Sequence, residues 1–220
     1  MEVRLLSCTP DFLRMIWCAA RTCYSPSSPL ELWEQEVPRE DMLRLVDRVI
    51  RAGHLSVTEH CTMTFAVAGV SRTLLAQYTR HRIGVSISVQ SQRHVRAAGR
   101  GEEGLFAHVV PPQIASDPQA REVFYQQLGA AQRAYERLLA LGIKREDARF
   151  LLPGGAATNF VTTLNLRSLL DVYQKRVLTP GAQWEIRELL DRFAYLIVER
   201  EPWLAPYFPT VGQEAKGEEG

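Results

Sequence analysis

HCTMTFAVAGVSRTLLAQYTRHR, residues 60–82, contains a change of period that sets the fold. From His60 to Val70 apolar residues recur every second position, with Cys61, Met63, Phe65 and Val67 on one side, the pattern of a half-buried strand. At Ser71 the period changes. Ser71 starts a helix that runs through Leu74, Leu75 and Tyr78. That helix ends by delivering Arg80, His81 and Arg82, so a strand feeds a helix whose C-terminal end carries two guanidiniums and an imidazole.

Upstream, Glu2 to Ser7 reads as a short strand, and Thr9-Pro10 as the cap and first turn of a helix running to about Tyr24. A loop holds Pro26, Ser27, Ser28 and Pro29. A second helix is expected from about Pro38, with Met42, Leu45, Val46, Val49 and Ile50 at helical spacing and Gly53 closing it. Downstream, Ile83 to Val95 sets Val85, Ile87 and Val89 against Ser86, Ser88 and Gln90, an extended stretch with one polar face. After a Gly-rich link, Gly99 to Gly104, Asp117-Pro118 caps a long helix to about Leu141 that stops at Gly142. Thr158 to Leu164 predicts a strand, and Asn165 caps a helix from Leu166 to about Val177. A turn at Thr179-Pro180-Gly181 precedes a last helix, Ala182 to about Glu199. The segment 209–220 is small, polar and acidic, and disorder is expected there. The order of elements predicts an α+β fold, a single domain over 1–208 with a mainly antiparallel sheet covered by helices.

Composition narrows the function. The chain has 220 residues, 46% hydrophobic and 23% charged, with a formal net charge of +1, so no overall field favours a polyanion. No run of eighteen apolar residues and no leader-like start is present, which predicts a cytoplasmic protein without a membrane span. Cys8, Cys18, Cys23 and Cys61 form no C-x-x-C pair and sit in apolar segments, so small buried thiols are expected rather than a zinc site or disulfides. His54, Glu59 and His60 match no standard metal-ligand spacing, and no metal is expected.

Local charge is more informative. Arg80, Arg82, Arg93, Arg96 and Arg100 crowd one stretch with His81 and His94. Guanidinium grips phosphate or carboxylate bidentately, so this stretch can hold a phosphate and the polar edge of a planar ring together. A solvated basic turn has the same composition. No aromatic platform accompanies the arginines, so nucleic acid is not an expected partner. Ser91 is the one hydroxyl inside the motif and has no base beside it, which favours hydrogen bonding over nucleophilic attack. Cys61 follows Glu59 and His60 but points to the apolar side of its strand.

Arg80-His81-Arg82, eight residues, then Ser91-Gln92-Arg93 resembles the R-H-R-x(7)-S-x-R signature of the flavin-dependent thymidylate synthases, with one residue more in the spacer. The resemblance covers most of residues 3–208 in ordered blocks. These are Ala19 to Ser25, Gly53 to His60, Phe65 to Gln77, Ala148 to Pro153, Asn165 to Leu169, Arg176 and Ala182 to Ile186. It implies a homotetramer that converts dUMP to dTMP, with FAD as hydride relay and 5,10-methylenetetrahydrofolate and NADPH as co-substrates, without a cysteine nucleophile. It places FAD against Ser56, Glu59, Arg80, His81, Arg82, Asn165, Arg167 and Asp171. It places dUMP against Gln77, Arg80, Gln90, Ser91, Arg93, Arg149 and Arg176. Arg176, Ser91 and His54 stand at its catalytic positions, His54 bordering folate and flavin, and active sites are shared between subunits.

The sequence departs from the family pattern at several points. Val89 stands where an acid is common, Val57 replaces a proline, His94 a tyrosine, and Asp171 an asparagine. Pro180-Gly181 occupies the place of a flavin-contacting histidine. Counting from Arg167 gives Arg176 as the substrate arginine, whereas counting back from Ala182 gives Lys175. An intact helix register favours Arg176. These departures motivate one alternative, a nucleotide- or flavin-binding relative that has lost turnover.

Overall fold

The computed structural model describes residues 1–97 and 104–211. Strands β1 (Glu2–Cys8), β2 (Thr62–Ser71), β3 (Val85–Val89) and β4 (Ala157–Asn165) form one sheet in the order β1-β2-β4-β3. Direction is fixed by which ends meet. Thr9 N donates to Thr62 O while Met1 lies beside Gly69, so β1 and β2 run oppositely. The Thr64 and Thr163 hydroxyls bond at 2.8 Å and Gly69 N donates to Asn159 Oδ1 at 3.0 Å, reversing β2 against β4. Gln90 N donates to Asn159 O, and Asn165 N to Gly84 O, which reverses β4 against β3. The sheet is antiparallel throughout and the fold is α+β, as the alternating patterns predict.

The helices are α1 (Phe12–Thr22), α2 (Pro29–Glu34), α3 (Arg39–Arg51), α4 (Arg72–Tyr78), α5 (Pro112–Ala115), α6 (Pro118–Ala140), α7 (Arg145–Ala148), α8 (Leu166–Tyr173) and α9 (Trp184–Arg200). Two compact units divide the chain. One comprises Met1–Glu2, Val67–Arg80 and Ile87–Val161, the other Val3–Ala66, His81–Ser86 and the chain from Thr162 onward. Neither is continuous in sequence, because each strand begins in one unit and ends in the other.

In the first unit α6 packs on a core of Leu105, Phe106, Leu128 and Ala156. Buried Gln132 of α6 accepts from Phe106 N at 3.0 Å and donates to Ala97 O and Glu136, so an otherwise costly amide is satisfied by backbone on two segments. In the second unit the Phe65 and Phe193 rings stack at 4.0 Å and Tyr173 meets Phe208 edge-on at 4.9 Å. The apolar faces of α1, α8 and α9 bury Phe12, Ile16, Leu169, Leu189 and Ile197 completely, each such side chain contributing about 1.5–3 kcal/mol.

Several local expectations are corrected. The N-cap of α1 is Asp11, in the left-handed region at φ 47, whose carboxylate accepts from Arg14 N. Thr9 is instead occupied across strands by Thr62. The Pro26–Pro29 loop runs straight into α2, because Ser28 and Glu31 form a reciprocal capping box and Pro29 takes the first helical position. The extended stretch from Ile83 is a strand only over Val85–Val89, after which Ser91 closes a turn by accepting from the Arg93, His94 and Val95 amides. Helix α8 ends at Tyr173 and continues as a π-helical turn, Gln174–Leu178. The final helix starts two residues later than expected, capped by Gln183. Thr210 belongs to the fold, bonded to Tyr173 and, at 2.6 Å, to Asp191. Residues 212–220 of the acidic segment, and Arg100, lie outside the described residues. Cys18 and Cys61 are buried, Cys8 is half-buried, and Cys23 is exposed, against the expectation of four buried thiols.

Glu201 stands out in no sequence pattern, yet its nearly buried carboxylate accepts from Phe12 N at 3.1 Å and Trp203 Nε1 at 2.8 Å. It tethers the first turn of α1 from the far end of the chain. Glu201→Ala is expected to lower stability by about 2 kcal/mol, the scale of orphaning a buried donor. Thermal unfolding checks it, and a midpoint equal to that of the wild type would refute the tether.

Candidate active site

In the second unit the turn that begins with His81 and Arg82 is laid through Ile83 and Gly84 against the start of α8. Asn165 caps that helix through Oδ1 to Ser168 N at 2.9 Å, and the Ser168 hydroxyl donates to Ile83 O at 2.8 Å. Gly84 sits between them at φ 64, where an added Cβ would land on the Ser168 hydroxyl and 2.7 Å from Asn165 Nδ2. Only glycine fits. Leu166 N donates to Cys61 O, fastening the start of α8 to the end of the 3-10 helix Leu55–His60, which carries Ser56 and Glu59. Glu59 pairs with Arg167, and both are about half exposed.

The π-helical turn decides which basic residue faces this turn. An extra residue per turn rotates the downstream chain relative to α8, and such turns are rare. Lys175 is exposed and pairs with Asp171 at 2.7 Å, an i, i+4 contact in solvent. Arg176 is half-buried and its Nε donates to His81 Nε2 at 3.0 Å. Accepting at Nε2 requires neutral His81 with its proton on Nδ1. Among the described residues the Nη groups of Arg176 have no partner.

The first unit holds a cavity of about 650 Å³ lined in part by Gln90, Ser91, His94, Arg96, Phe106 and Thr158. Gln90 is committed to Asn159 at 3.0 Å. Arg93 pairs with Glu146 at 2.9 Å, and Arg149 Nε donates to the Glu146 carbonyl, so the two arginines share one anchor. Arg72 donates to Thr158 at 3.3 Å, and burial, followed by the repulsion of Arg149, holds its pKa below the usual guanidinium value. Two like charges so placed leave a positive field for an anion. Gln77 and Arg80 stand at the C-terminal end of α4, where Arg80 N donates to Gln77 O.

The sequence-predicted residues therefore fall into two groups. Gln77, Arg80, Gln90, Ser91, Arg93 and Arg149 lie in the first unit. His54, Ser56, Glu59, His81, Arg82, Asn165, Arg167, Asp171 and Arg176 lie in the second. All but one of the residues expected around dUMP, and all but one of those expected around flavin, separate by unit.

A family model described as thymidylate synthase complementing protein matches residues 4–203. A flavin-dependent thymidylate synthase of Geobacter sulfurreducens is 39% identical over 86% of this chain and 78% of its own length. That of Haloarcula marismortui is 35% identical over 99% and 97%. The chain belongs to the flavin-dependent thymidylate synthase family. Its fold matches two solved structures. A UMP/dUMP methylase, PolB of Streptomyces cacaoi bound with 5-Br dUMP, superposes at a TM-score of 0.80 with 20% identity, covering 96% of both chains. Thymidylate synthase X of Helicobacter pylori, with FAD and dUMP, gives 0.74 with 23% identity, covering 94% of this chain and 99% of that one.

Within this member of the family, three residues at the site escaped sequence reasoning. Ile83 is 91% exposed on the Arg-His-Arg turn, although an apolar side chain there resembles the first residue of a strand. Ser168 and Gly84 set the turn's position, and the signal that could have found Gly84 is a glycine immediately after a basic turn. Cys61 is the remaining chemical candidate. Its thiol is fully buried and donates to Phe12 O at 3.7 Å, and burial, then Glu201 and Asp11, push its pKa up to about 12. It is a thiol, not a nucleophile, at neutral pH. Iodoacetamide at pH 8 is expected to label exposed Cys23 in the native protein and Cys61 only after unfolding, read by peptide mass analysis. Rapid native labelling of Cys61 would overturn this.

Proposed function

We propose that this chain is a flavin-dependent thymidylate synthase that reductively methylates dUMP to dTMP. The observation that carries the reading is Arg176, held by His81 of the Arg-His-Arg turn with its Nη donors unspent. The family relationship supports FAD as cofactor, 5,10-methylenetetrahydrofolate as carbon donor and NADPH as reductant.

The residues fit a flavin dinucleotide. A cleft receiving a pyrophosphate and a planar ring needs cations, a helix N-terminus and backbone held close, and Arg82, Arg167, the start of α8 and the Gly84 turn supply these. His81, Asn165, Glu59, Ser56 and Asp171 complete that set. When bound, the flavin would supply a hydride to the electrophilic C6 of the ring, and folate would supply the methylene. The protein's part is to bind, orient and polarise. Arg93 and Arg149 hold the nucleotide phosphate, while Gln77, Arg80, Gln90 and Ser91 hold its polar edges. Arg176 donates to the pyrimidine carbonyl, stabilising negative charge as the ring becomes nucleophilic at C5, so no thiol adduct is needed. Each charge-assisted hydrogen bond of this kind contributes about 1.5–3 kcal/mol. His54, at the head of the 3-10 helix, borders the folate side. The resemblance further supports a cytoplasmic homotetramer whose sites are completed by residues of neighbouring copies.

The test is direct. Purified protein is expected to be yellow, or to become so with FAD, and to oxidise NADPH when dUMP and methylenetetrahydrofolate are present. Rescue of a thymidine-requiring host completes it. A colourless protein with no FAD affinity refutes the reading, and a yellow protein that fails to rescue identifies a binder without turnover.

A further inference from the structure

We propose that a basic groove between α1 and α3 binds the multiply anionic end of a co-substrate, an inference that rests on the functional reading above. The groove has a volume of about 330 Å³. Trp17 and Arg21 come from α1, and Asp41, Arg44, Leu45 and Arg48 from α3. Arg44 and Arg48 are one helical turn apart and share a face. Arg44 pairs with Asp41 at 2.9 Å, whereas the Arg21 and Arg48 guanidiniums have no ion pair among the described residues. Three cations thus face one carboxylate.

A solvated basic face has no floor, and this groove has one. Trp17 is only 5% exposed and Leu45 is half-buried, so the cations stand over low-dielectric material that focuses their field outward. The Trp17 indole is itself fixed, with the Arg14 guanidinium 5.6 Å from its ring centroid, and Arg14 is anchored on the Trp33 and Gln35 carbonyls. The volume suits one end of a ligand rather than a whole dinucleotide.

Position links the groove to the reaction. Helix α3 leads from Arg44 and Arg48 to His54 and the 3-10 helix bearing Ser56 and Glu59. At about 1.5 Å per residue the groove lies roughly 9–15 Å from His54. Both proposed co-substrates carry negative charge remote from their reacting rings. NADPH has a 2′-phosphate, and folates have glutamyl carboxylates. Guanidinium forks bind either oxyanion.

The experiment titrates full-length protein with adenosine 2′,5′-bisphosphate and, separately, with pentaglutamate, by calorimetry at low salt, for the wild type and for R44Q/R48Q. One probe is expected to bind the wild type and to weaken about tenfold or more in the double variant, the scale of losing charge-assisted contacts. R21Q, on the other helix, is expected to act in the same direction. Binding of the bisphosphate assigns the groove to the reductant, and binding of pentaglutamate assigns it to the folate tail. If neither probe binds, or if the variants bind as well as the wild type, the proposal is overturned. Flavin absorbance and dUMP affinity report on the functional reading separately and are expected to be unchanged in these variants.

Discussion

Arg176→Ala is expected to lower kcat by about 10²–10³-fold, the cost of removing one preorganised donor from developing charge, while the flavin absorbance stays in place. Arg176 is half-buried and held through Nε by His81, so its remaining donors are fixed before substrate arrives. Fixed donors need no reorganisation as charge builds on the ring, and that is why the loss should appear mainly in turnover and dUMP affinity. Lys175→Ala is the control. Lys175 is spent on Asp171 in solvent, an interaction contributing about 0.3–0.5 kcal/mol, so a change of less than about threefold is expected. Arg176→Lys should recover little, because a lysine has no Nε to dock on His81 while presenting a fork. The measurements are kcat, dUMP affinity and bound-flavin absorbance for each variant. A larger loss from Lys175→Ala than from Arg176→Ala would reverse the assignment.

That contrast marks how far the sequence could be read. The strand-to-helix switch at Ser71 was legible because a period of two and a period of 3.6 leave different marks, and both faces of β2 and α4 are found as the pattern requires. Capping at Asp117 and Asn165 was legible for a similar reason, since each is a short polar side chain beside an apolar run. The π-helical turn was not. A helix widened by one residue over a single turn leaves no compositional trace at Gln174–Leu178. Helix α2 was hidden because its serine and prolines resemble a loop until the Glu31 partner of the capping box is noticed. Glu201 was beyond reach, because its partner Phe12 lies 189 positions away and long-range pairing has no local signature. The same limit hid the Arg176 contact with His81, 95 positions apart. The candidate site residues were named from their family blocks, whereas their grouping by unit comes from how β2, β3 and β4 thread the two units.

Gly84→Ala tests whether the Arg-His-Arg turn is positioned from α8, and it is expected to cost both stability and flavin retention. Two penalties combine. A non-glycine residue at φ 64 costs about 1–2 kcal/mol, and the new methyl would occupy the space of the Ser168 hydroxyl and crowd the Asn165 amide. Relief of that overlap must move either the cap of α8, about 1 kcal/mol, or the Ile83 carbonyl that Ser168 holds. The total is about 2–4 kcal/mol, corresponding to a fall in Tm of roughly 4–16 °C at this chain length. Moving the turn also separates His81 from Arg176, so activity per bound flavin should fall beyond what the lost stability explains. The pair Gly84→Ala with Ser168→Ala separates the two causes. Removing the hydroxyl frees room for the methyl, so the double variant is expected to be less destabilised than the sum of the singles, by about 0.5–3 kcal/mol, the usual range for residues in contact. Strict additivity would leave backbone strain as the whole effect, and a Gly84→Ala protein as stable as the wild type would show that the turn is not seated on α8.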